Sequence, residues 1–252
     1  GNSGGALVNL RGEVIGMNTW IASQSGGSIG LGFAIPINSA TEAIDQFIET
    51  GRVSYGWLGV NMADPPQSPS DSLEESAGGA FVFNVYRDSP AADAGIQPGD
   101  VIVQVGSSRI SGSDDLLQTV TRLSPGDRTE FRLRRNGELR TTYVRTGVRP
   151  QDDSEIGGGD LWPGMSVVEI SDEIRTNLEL SSRGGNLIIG QVANGSPAQT
   201  AGLRSGDIIV RVNGEDVATL REFYMELNGV RGDEILFRIR RNDTNLIIGL
   251  VK

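Results

Sequence analysis

The chain has 252 residues, enough for two or three domains, and 37% of them are hydrophobic while 21% are charged, the balance of a soluble globular protein. The net charge of −10 argues against nucleic acid as a main partner, because phosphate binding needs clustered positive charge. No run approaches the roughly 18 consecutive apolar residues of a membrane span, and no signal-peptide pattern is present. The absence of cysteine excludes disulfides and thiolate metal sites. We predict neither a metal nor a cofactor.

The first motif is Gly1-Asn2-Ser3-Gly4-Gly5. A serine flanked by glycines can lie on a tight turn that approaches a substrate carbonyl, because glycine tolerates unusual dihedral angles and has no side chain. The backbone N–H groups of such a turn can converge on a developing oxyanion. A plain Gly/Ser turn is the alternative, since the chain contains 35 glycines.

The next segments predict a strand from Val14 to Thr19, a glycine-rich loop, a strand from Gly30 to Pro36 and a helix from Thr41 to Thr50. The glycine-rich loop lacks the spacing, lysine and context of a phosphate-binding loop. The run from Gly1 to Ala40 resembles the end of the HtrA/Deg protease domain, which begins here at the nucleophile motif.

That resemblance implies that Ser3 is the nucleophile and that the amides of Gly1 and Ser3 form an oxyanion hole. It also implies a substrate pocket walled by the segments Asn18 to Ile21 and Gly30 to Phe33, with candidate residues Asn18, Thr19, Trp20, Ile21, Gly30 and Leu31. Ile21 and Leu31 predict a small, apolar pocket that suits Val, Ala or Ile.

The departure from this family concerns the catalytic base. The histidine and aspartate of the family lie upstream of the serine, and this chain contains no histidine and a single lysine, Lys252. Serine is a poor nucleophile until a base takes its proton. We therefore expect a truncated protease that is inactive alone.

The rest of the chain contains an internal duplication, because residues 80–136 align with 186–242 almost without gaps. The matches include Ser89-Pro90-Ala91 with Ser196-Pro197-Ala198, Gly99-Asp100 with Gly206-Asp207, and Arg134-Arg135-Asn136 with Arg240-Arg241-Asn242. We predict three domains, at 1–52, 55–148 and 160–252, with linkers at 51–55 and 151–159 and an exposed insertion at 64–76.

Each copy predicts strand, short helix, strand, longer helix and strand. In the first copy the strands are 81–85 and 101–105, and Ser89 caps a short helix with Pro90 at its first position. Ser113 is predicted to cap the longer helix, whose apolar residues are Leu116, Leu117, Val120 and Leu123. In the second copy Leu220, Phe223, Tyr224 and Leu227 have the same role behind Thr219.

Both copies resemble PDZ domains in the permuted arrangement of HtrA proteins. In PDZ domains a loop donates backbone N–H groups to the C-terminal carboxylate of a peptide, which adds as a strand to the sheet. The loop here is Tyr55-Gly56-Trp57-Leu58-Gly59-Val60, with amides expected from Leu58, Gly59 and Val60 and a side-chain pocket lined by Leu117 and Val120. An ordinary strand start with core leucines is the alternative.

The second copy is less clearly a peptide site. Its loop, from Leu161 to Val167, carries Pro163 where an amide donor is expected, and proline has none. Gly164 and Met165 can still donate. Packing between domains or subunits is as good an interpretation as ligand binding.

The predicted fold is mostly β with short helices: the end of a chymotrypsin-like β-barrel followed by two PDZ domains, which are α+β, partly open barrels. The resemblance implies a periplasmic, ATP-independent serine endopeptidase that degrades misfolded envelope proteins and reads exposed C-termini, in a trimer or multiples of it. The alternative is a peptide-binding or chaperone module without proteolysis. A PDZ scaffold unrelated to proteolysis is disfavoured by residues 1–40.

Overall fold

The computed structural model describes residues 2–22, 30–65, 78–149, 160–177, 185–229, 232–242 and 244–251. Gly1, much of the glycine-rich loop, most of the predicted insertion and the predicted linker at 151–159 lie outside the described residues. The chain divides into two compact units, Gly1–Ser54 and Tyr55–Lys252.

The first unit is a three-stranded antiparallel sheet followed by one helix. Its elements are β1 (Ala6–Val8), β2 (Val14–Ile21), β3 (Gly32–Pro36) and α1 (Ile37–Thr50), and the sheet order is β1-β2-β3. The predicted strand at Val14 is confirmed, whereas the helix begins at Ile37 rather than at Thr41. It ends at Gly51, whose left-handed backbone lets its N–H bond to the carbonyl of Phe47 at 2.8 Å.

This first unit buries little of its own apolar surface. Among its described residues only Gly16 is buried. Large apolar residues are exposed on the sheet and on the helix, including Leu7, Val8, Ile15, Phe33, Phe47 and Ile48. An exposed apolar surface of this kind marks a contact face. The unit therefore lacks the core that makes a domain stable alone.

The first repeat, residues 55–148, has an open sheet and two helices. Its elements are β4 (Gly56–Trp57), β5 (Val60–Ala63), β6 (Ala80–Tyr86), α2 (Pro90–Asp93), β7 (Val101–Val105), β8 (Ser108–Arg109), α3 (Ser113–Thr121), β9 (Arg128–Arg135), β10 (Glu138–Arg145) and β11 (Gly147–Val148). The strands run β10-β9-β7-β6, β5 pairs with the other edge of β6, and β11 pairs with β4. Ile102, Leu116 and Phe131 are fully buried in its core.

The second repeat, residues 160–252, has the same plan. Its elements are β12 (Leu161–Trp162), β13 (Met165–Glu169), α4 (Asp172–Asn177), β14 (Leu187–Val192), α5 (Pro197–Ala201), β15 (Ile208–Val212), β16 (Glu215–Asp216), α6 (Leu220–Gly229), β17 (Glu234–Arg241) and β18 (Thr244–Val251). The sheet order is β13-β14-β15-β17-β18. β12 is the exception, because it pairs with β6 of the first repeat. The prediction of a mostly β fold with short helices is confirmed, and the described strands form open sheets.

Of the three helix starts predicted at Ser89, Ser113 and Thr219, those at Ser89 and Thr219 are confirmed. Ser89 and Ser196 accept from the third residue of each short helix, at 3.2 and 3.3 Å. Thr219 and Glu222 form a reciprocal capping box at the start of α6. The prediction that Ser113 caps α3 is wrong: Ser113 is the first helical residue, and its N–H and hydroxyl both donate to the Asp64 carboxylate. An ionised carboxylate is the stronger acceptor.

One ion pair recurs in both repeats and connects the aligned motifs. Arg135 donates to Asp100 through Nε at 2.6 Å and Nη2 at 2.7 Å, and Arg241 donates to Asp207 through the same atoms at 2.6 Å each. Each guanidinium also bonds to a carbonyl at the end of the short helix, Gly95 or Gly202. Both aspartate side chains are 1% exposed, so the carboxylates are buried. The ion pairs connect β9 and β17 to the preceding Gly-Asp turns.

Arg241→Met should lower the free energy of unfolding by about 3 kcal/mol, because it leaves a buried carboxylate without its partner. The matched control is Arg211→Met, since Arg211 also lies 2.6 Å from its carboxylate partner, but Asp216 is 74% exposed. The control should cost under about 1 kcal/mol. Urea unfolding of both variants measures the difference, and equal losses would contradict a structural role for the buried pair.

Candidate functional site

Ser3 lies on a tight turn at the start of the first unit. Gly4 has φ +82°, and the N–H of Gly5 donates to the carbonyl of Asn2 at 2.9 Å. The N–H of Gly4 donates to the carbonyl of Asn18 at 2.8 Å, which ties the turn to β2. Glycine is required here because L side chains rarely adopt this backbone conformation.

Beside this turn lies a groove of about 470 Å³. It is lined by Asn2, Ser3, Leu7, Asn18, Thr19, Trp20, Ile21, Gly32, Phe33 and Ala34. The four predicted residues on β2 therefore border it together with Ser3. Gly30 and Leu31 are not among its lining residues, because β3 begins at Gly32 and pairs Gly32, Phe33 and Ala34 with β2.

The wall of this groove is aromatic. The rings of Trp20 and Phe33 stack with centroids 4.1 Å apart and an angle of 10° between their planes. Phe33 lies in the segment from Gly30 to Phe33 that was predicted to wall the pocket, whereas Ile21 and Leu31 were predicted to make it small and apolar. The stacking of Phe33 on Trp20 follows from the pairing register of the two strands, which the sequence alone does not supply.

The hydroxyl of Ser3 donates to the carbonyl of Thr19 at 2.7 Å. A carbonyl holds the hydroxyl in place but does not accept its proton in a reaction. A nucleophilic serine needs a base such as histidine, and the 252 residues contain none. Gly1, the predicted second oxyanion donor, lies outside the described residues.

A second groove, of about 270 Å³, lies between β5 and α3 of the first repeat. All six residues predicted for peptide binding line it: Trp57, Leu58, Gly59, Val60, Leu117 and Val120. Leu117 is 46% exposed. Sequence reasoning missed Met62, Tyr86 and Arg149. Arg149 follows β11 and brings a cation to this groove, but it lies far along the chain from the loop motif.

The loop of this groove turns its N–H groups away from the body of the repeat. The carbonyl of Leu58 accepts from Ala91, and the carbonyl of Gly59 accepts from Tyr86, both at 2.9 Å. In a trans peptide unit the N–H points opposite to the carbonyl. The N–H groups of Gly59 and Val60 therefore point away from α2 and β6.

Gly59 is required for this geometry. Its φ is +82°, and a Cβ atom there would collide with the side chain of Ser89. The hydroxyl of Ser89 also approaches the carbonyl of Gly59 at 3.4 Å. A side chain at this position would displace either the loop or the start of α2.

The far end of the groove is fixed by the contact between Asp64 and Ser113. Asp64 follows β5 and accepts from the N–H of Ser113 at 2.8 Å and from its hydroxyl at 2.9 Å. These two hydrogen bonds, the backbone one first, lower the pKa of the exposed Asp64 carboxyl. They also hold the end of β5 against the start of α3.

The loop of the second repeat has the same backbone geometry, with an acceptor in place. The carbonyls of Pro163 and Gly164 accept from Ala198 at 3.2 Å and Ala193 at 2.8 Å. The N–H groups of Gly164 and Met165 both donate to Oδ1 of Asn84, at 2.9 and 3.2 Å. The sequence left two interpretations of this loop open, ligand binding and packing. In the structure the loop packs against the first repeat.

Three family models match the chain. The trypsin model matches residues 1–44, and two PDZ-domain models match residues 56–146 and 188–241. Among the described residues, none of the helices is long and apolar enough to cross a membrane.

Two similar proteins share the same description. A "Probable periplasmic serine endoprotease DegP-like" of Pseudomonas fulva (strain 12-X) is 40% identical over 233 residues, which cover 88% of this chain and 48% of that protein. A protein with the same description from Hahella chejuensis (strain KCTC 2396) is 37% identical, with 89% of this chain and 49% of the other covered. The chain therefore spans about half the length of the curated relatives it matches.

Two similar solved structures are described as an HtrA-type protease with a bound peptide. "HtrA-type protease AlgW with tripeptide" has a TM-score of 0.52 and 41% identity, covering 61% of this chain and 51% of that one. "HtrA-type protease AlgW with decapeptide" has a TM-score of 0.50 and 43% identity, covering 60% of this chain and 47% of that one.

The hydrogen bonds at Asp64 make part of the stability of the first repeat depend on pH. Because its folded pKa is lowered, the ionised group stabilises the fold above the ordinary aspartate pKa of about 3.9. That stabilisation is lost as the pH falls through the lowered value. Asp64→Asn should therefore lower the melting temperature at pH 7 and converge on the wild type near pH 2.

The comparison is thermal unfolding followed across that pH range. Asp114→Asn is the control, because it removes an exposed carboxylate from the first turn of the same helix without touching Ser113. A constant offset between Asp64→Asn and wild type at every pH would contradict the contribution of the ionised carboxylate.

Proposed function

Because the chain belongs to the HtrA-type group of trypsin-like proteases with PDZ domains, we propose that it is part of a serine endopeptidase that captures peptides by their free C-termini. The observation that carries the peptide-binding part is the open groove of the first repeat, towards which the N–H groups of Gly59 and Val60 point. We place the domains at 1–52, 55–148 and 160–252. The relatives' descriptions support a periplasmic location.

The peptide extends the sheet of the first repeat. Its backbone pairs with the side of β5 that has no partner strand among the described residues. Its terminal carboxylate accepts from the loop amides, which number three if Leu58 also donates. Its last side chain enters the apolar space between Leu117 and Val120. Arg149 adds positive charge near the carboxylate, a further source of attraction.

Ser3 is the nucleophile of the proposed endopeptidase. Its turn is held to β2 through Asn18 and Thr19, and the adjacent groove with Trp20 and Phe33 receives the side chain before the scissile bond. The amides of Gly1 and Ser3 are the proposed oxyanion donors. The stacked rings of Trp20 and Phe33 support an apolar preference.

The base that activates Ser3 is proposed to come from sequence outside these 252 residues. Two observations support this: the chain has no histidine, and the apolar surface of the first unit needs a partner to cover it. Substrates are proposed to be unfolded or misfolded envelope proteins, handled by a trimer or a multiple of it. Within the 252 residues alone, the absent base favours the second candidate, a module that holds peptides without cutting them.

The 252-residue chain should therefore show no peptidase activity. Incubation with unfolded casein, followed by gel electrophoresis, measures this. Cleavage that disappears in Ser3→Ala would contradict the proposal. In the longer protein that supplies the base, Ser3→Ala should remove nearly all turnover and leave peptide binding intact.

Peptides that end in a free, apolar residue should bind the first repeat more tightly than their amidated forms. Amidation replaces an ionised acceptor with a neutral one, and charge-assisted hydrogen bonds are about twice as strong. Gly59→Val should also weaken binding, because its Cβ collides with Ser89.

The measurement is calorimetric titration of the chain with a decapeptide that ends in free valine and with its amide. Leu139→Ser is the matched control, because it changes an exposed side chain on β10, outside the groove. Equal affinities for acid and amide would show that the loop does not bind a carboxylate.

A further inference from the structure

The two repeats share a strand at their junction. β6 of the first repeat pairs with β5 on one edge, and its last residues pair with β12 of the second repeat on the other. Val85 therefore lies opposite both Val60 and Trp162. The recognition loop of the second repeat begins as an added strand on the sheet of the first repeat.

Asn84 on this strand occupies the loop of the second repeat. Its side chain is buried, and the atom that faces the N–H groups of Gly164 and Met165 is an oxygen, because both partners are donors. Gly164 and Met165 follow Pro163 as Gly59 and Val60 follow Leu58. The Asn84 oxygen therefore lies where a peptide carboxylate is proposed to bind in the first repeat.

Phe81 packs on the residue of the second repeat that aligns with a pocket-lining leucine of the first repeat. Its ring meets that of Tyr224 edge to face, with centroids 5.5 Å apart, and it belongs to the core of the second repeat. Tyr224 aligns with Leu117 in the register that aligns Ser196 with Ser89. Leu117 is 46% exposed, whereas Tyr224 is 3% exposed.

Two further contacts allow this close packing. Gly99 lies against Tyr224, and a Cβ atom at Gly99 would lie 2.5 Å from the Cβ of Tyr224. The side-chain amide of Asn228 donates to the carbonyl of Pro98 at 2.7 Å. The aligned Gly206 has no atom within 4 Å of such a Cβ, so the close approach at Gly99 is a feature of the first repeat.

We propose that the second repeat takes strand β6 of the first repeat as its internal ligand, with the Asn84 oxygen in place of a terminal carboxylate and Phe81 in place of the last side chain. The folded chain then has one loop that is available to a peptide carboxylate instead of two. The inference rests on the proposed function only in treating the loop amides as peptide-binding donors.

Amide hydrogen exchange of the full chain, followed by NMR, tests the occupancy without any peptide. The N–H groups of Gly164 and Met165 should be protected in the wild type. Asn84→Ala should speed their exchange at least about tenfold, because a lost hydrogen bond permits local opening. Asn84→Asp keeps an oxygen acceptor and should retain the protection, and Asn245→Ala, at an exposed asparagine of β18, should change nothing.

Fast exchange of both N–H groups in the wild type would overturn the proposal. So would unchanged protection in Asn84→Ala. If Asn84→Ala fails to fold, the comparison of wild type with Asn84→Asp decides, since loss of protection in a folded Asn84→Asp chain would show that the oxygen is not the acceptor.

Peptide stoichiometry gives a second, separate readout. Calorimetry with the decapeptide that ends in free valine should give one site per wild-type chain and two per Asn84→Ala/Phe81→Ala chain, because both groups that fill the second site are then removed. Two sites in the wild type, or one in the folded double variant with fast exchange at Gly164, would overturn the proposal. If the peptide binds neither loop, the proposed function fails, and the exchange result still decides whether Asn84 occupies the second loop.

Discussion

The two repeats differ in what accepts the hydrogen bonds of two consecutive backbone N–H groups in the recognition loop. In each repeat a glycine with φ +82° turns the loop so that its carbonyls bond inward and two consecutive N–H groups point outward. A buried N–H without a partner costs about 1–3 kcal/mol. Asn84 satisfies this pair in the second repeat, whereas in the first repeat the pair faces an open groove. One backbone geometry thus gives an internal contact in one copy and a candidate ligand site in the other.

The two compact units are stabilised to different degrees. The repeats have hydrophobic cores and two buried, bidentate ion pairs, Arg135 with Asp100 and Arg241 with Asp207. The unit that carries Ser3 exposes apolar side chains along its strands and its helix. The peptide-binding part can therefore hold its geometry by itself, whereas the serine-bearing part needs another apolar surface against it. This difference is the physical basis for treating binding and cleavage as separable properties.

Local patterns in the sequence predicted much of the fold and the candidate site. The Ser-Pro caps, the alternating strand from Leu236 to Ile239 and the loop around Gly59 are signals carried by a few neighbouring residues, and the structure has them. The contacts that were missed join distant residues. Asn84 lies 80 residues from Gly164, and Asp64, which displaced Ser113 as the helix cap, lies 49 residues away from it. An asparagine in a strand has no local pattern that reveals such a partner, and the stacking of Phe33 on Trp20 depends on the strand register.

The most direct test of this account is an NMR titration of the 15N-labelled chain with the decapeptide that ends in free valine. Amide protons that bond to a carboxylate shift strongly downfield. The account predicts this shift at Gly59 and Val60, with the signals of Gly164 and Met165 unchanged because Asn84 already holds them. A downfield shift at Gly164 and Met165, or none at Gly59 and Val60, would contradict it.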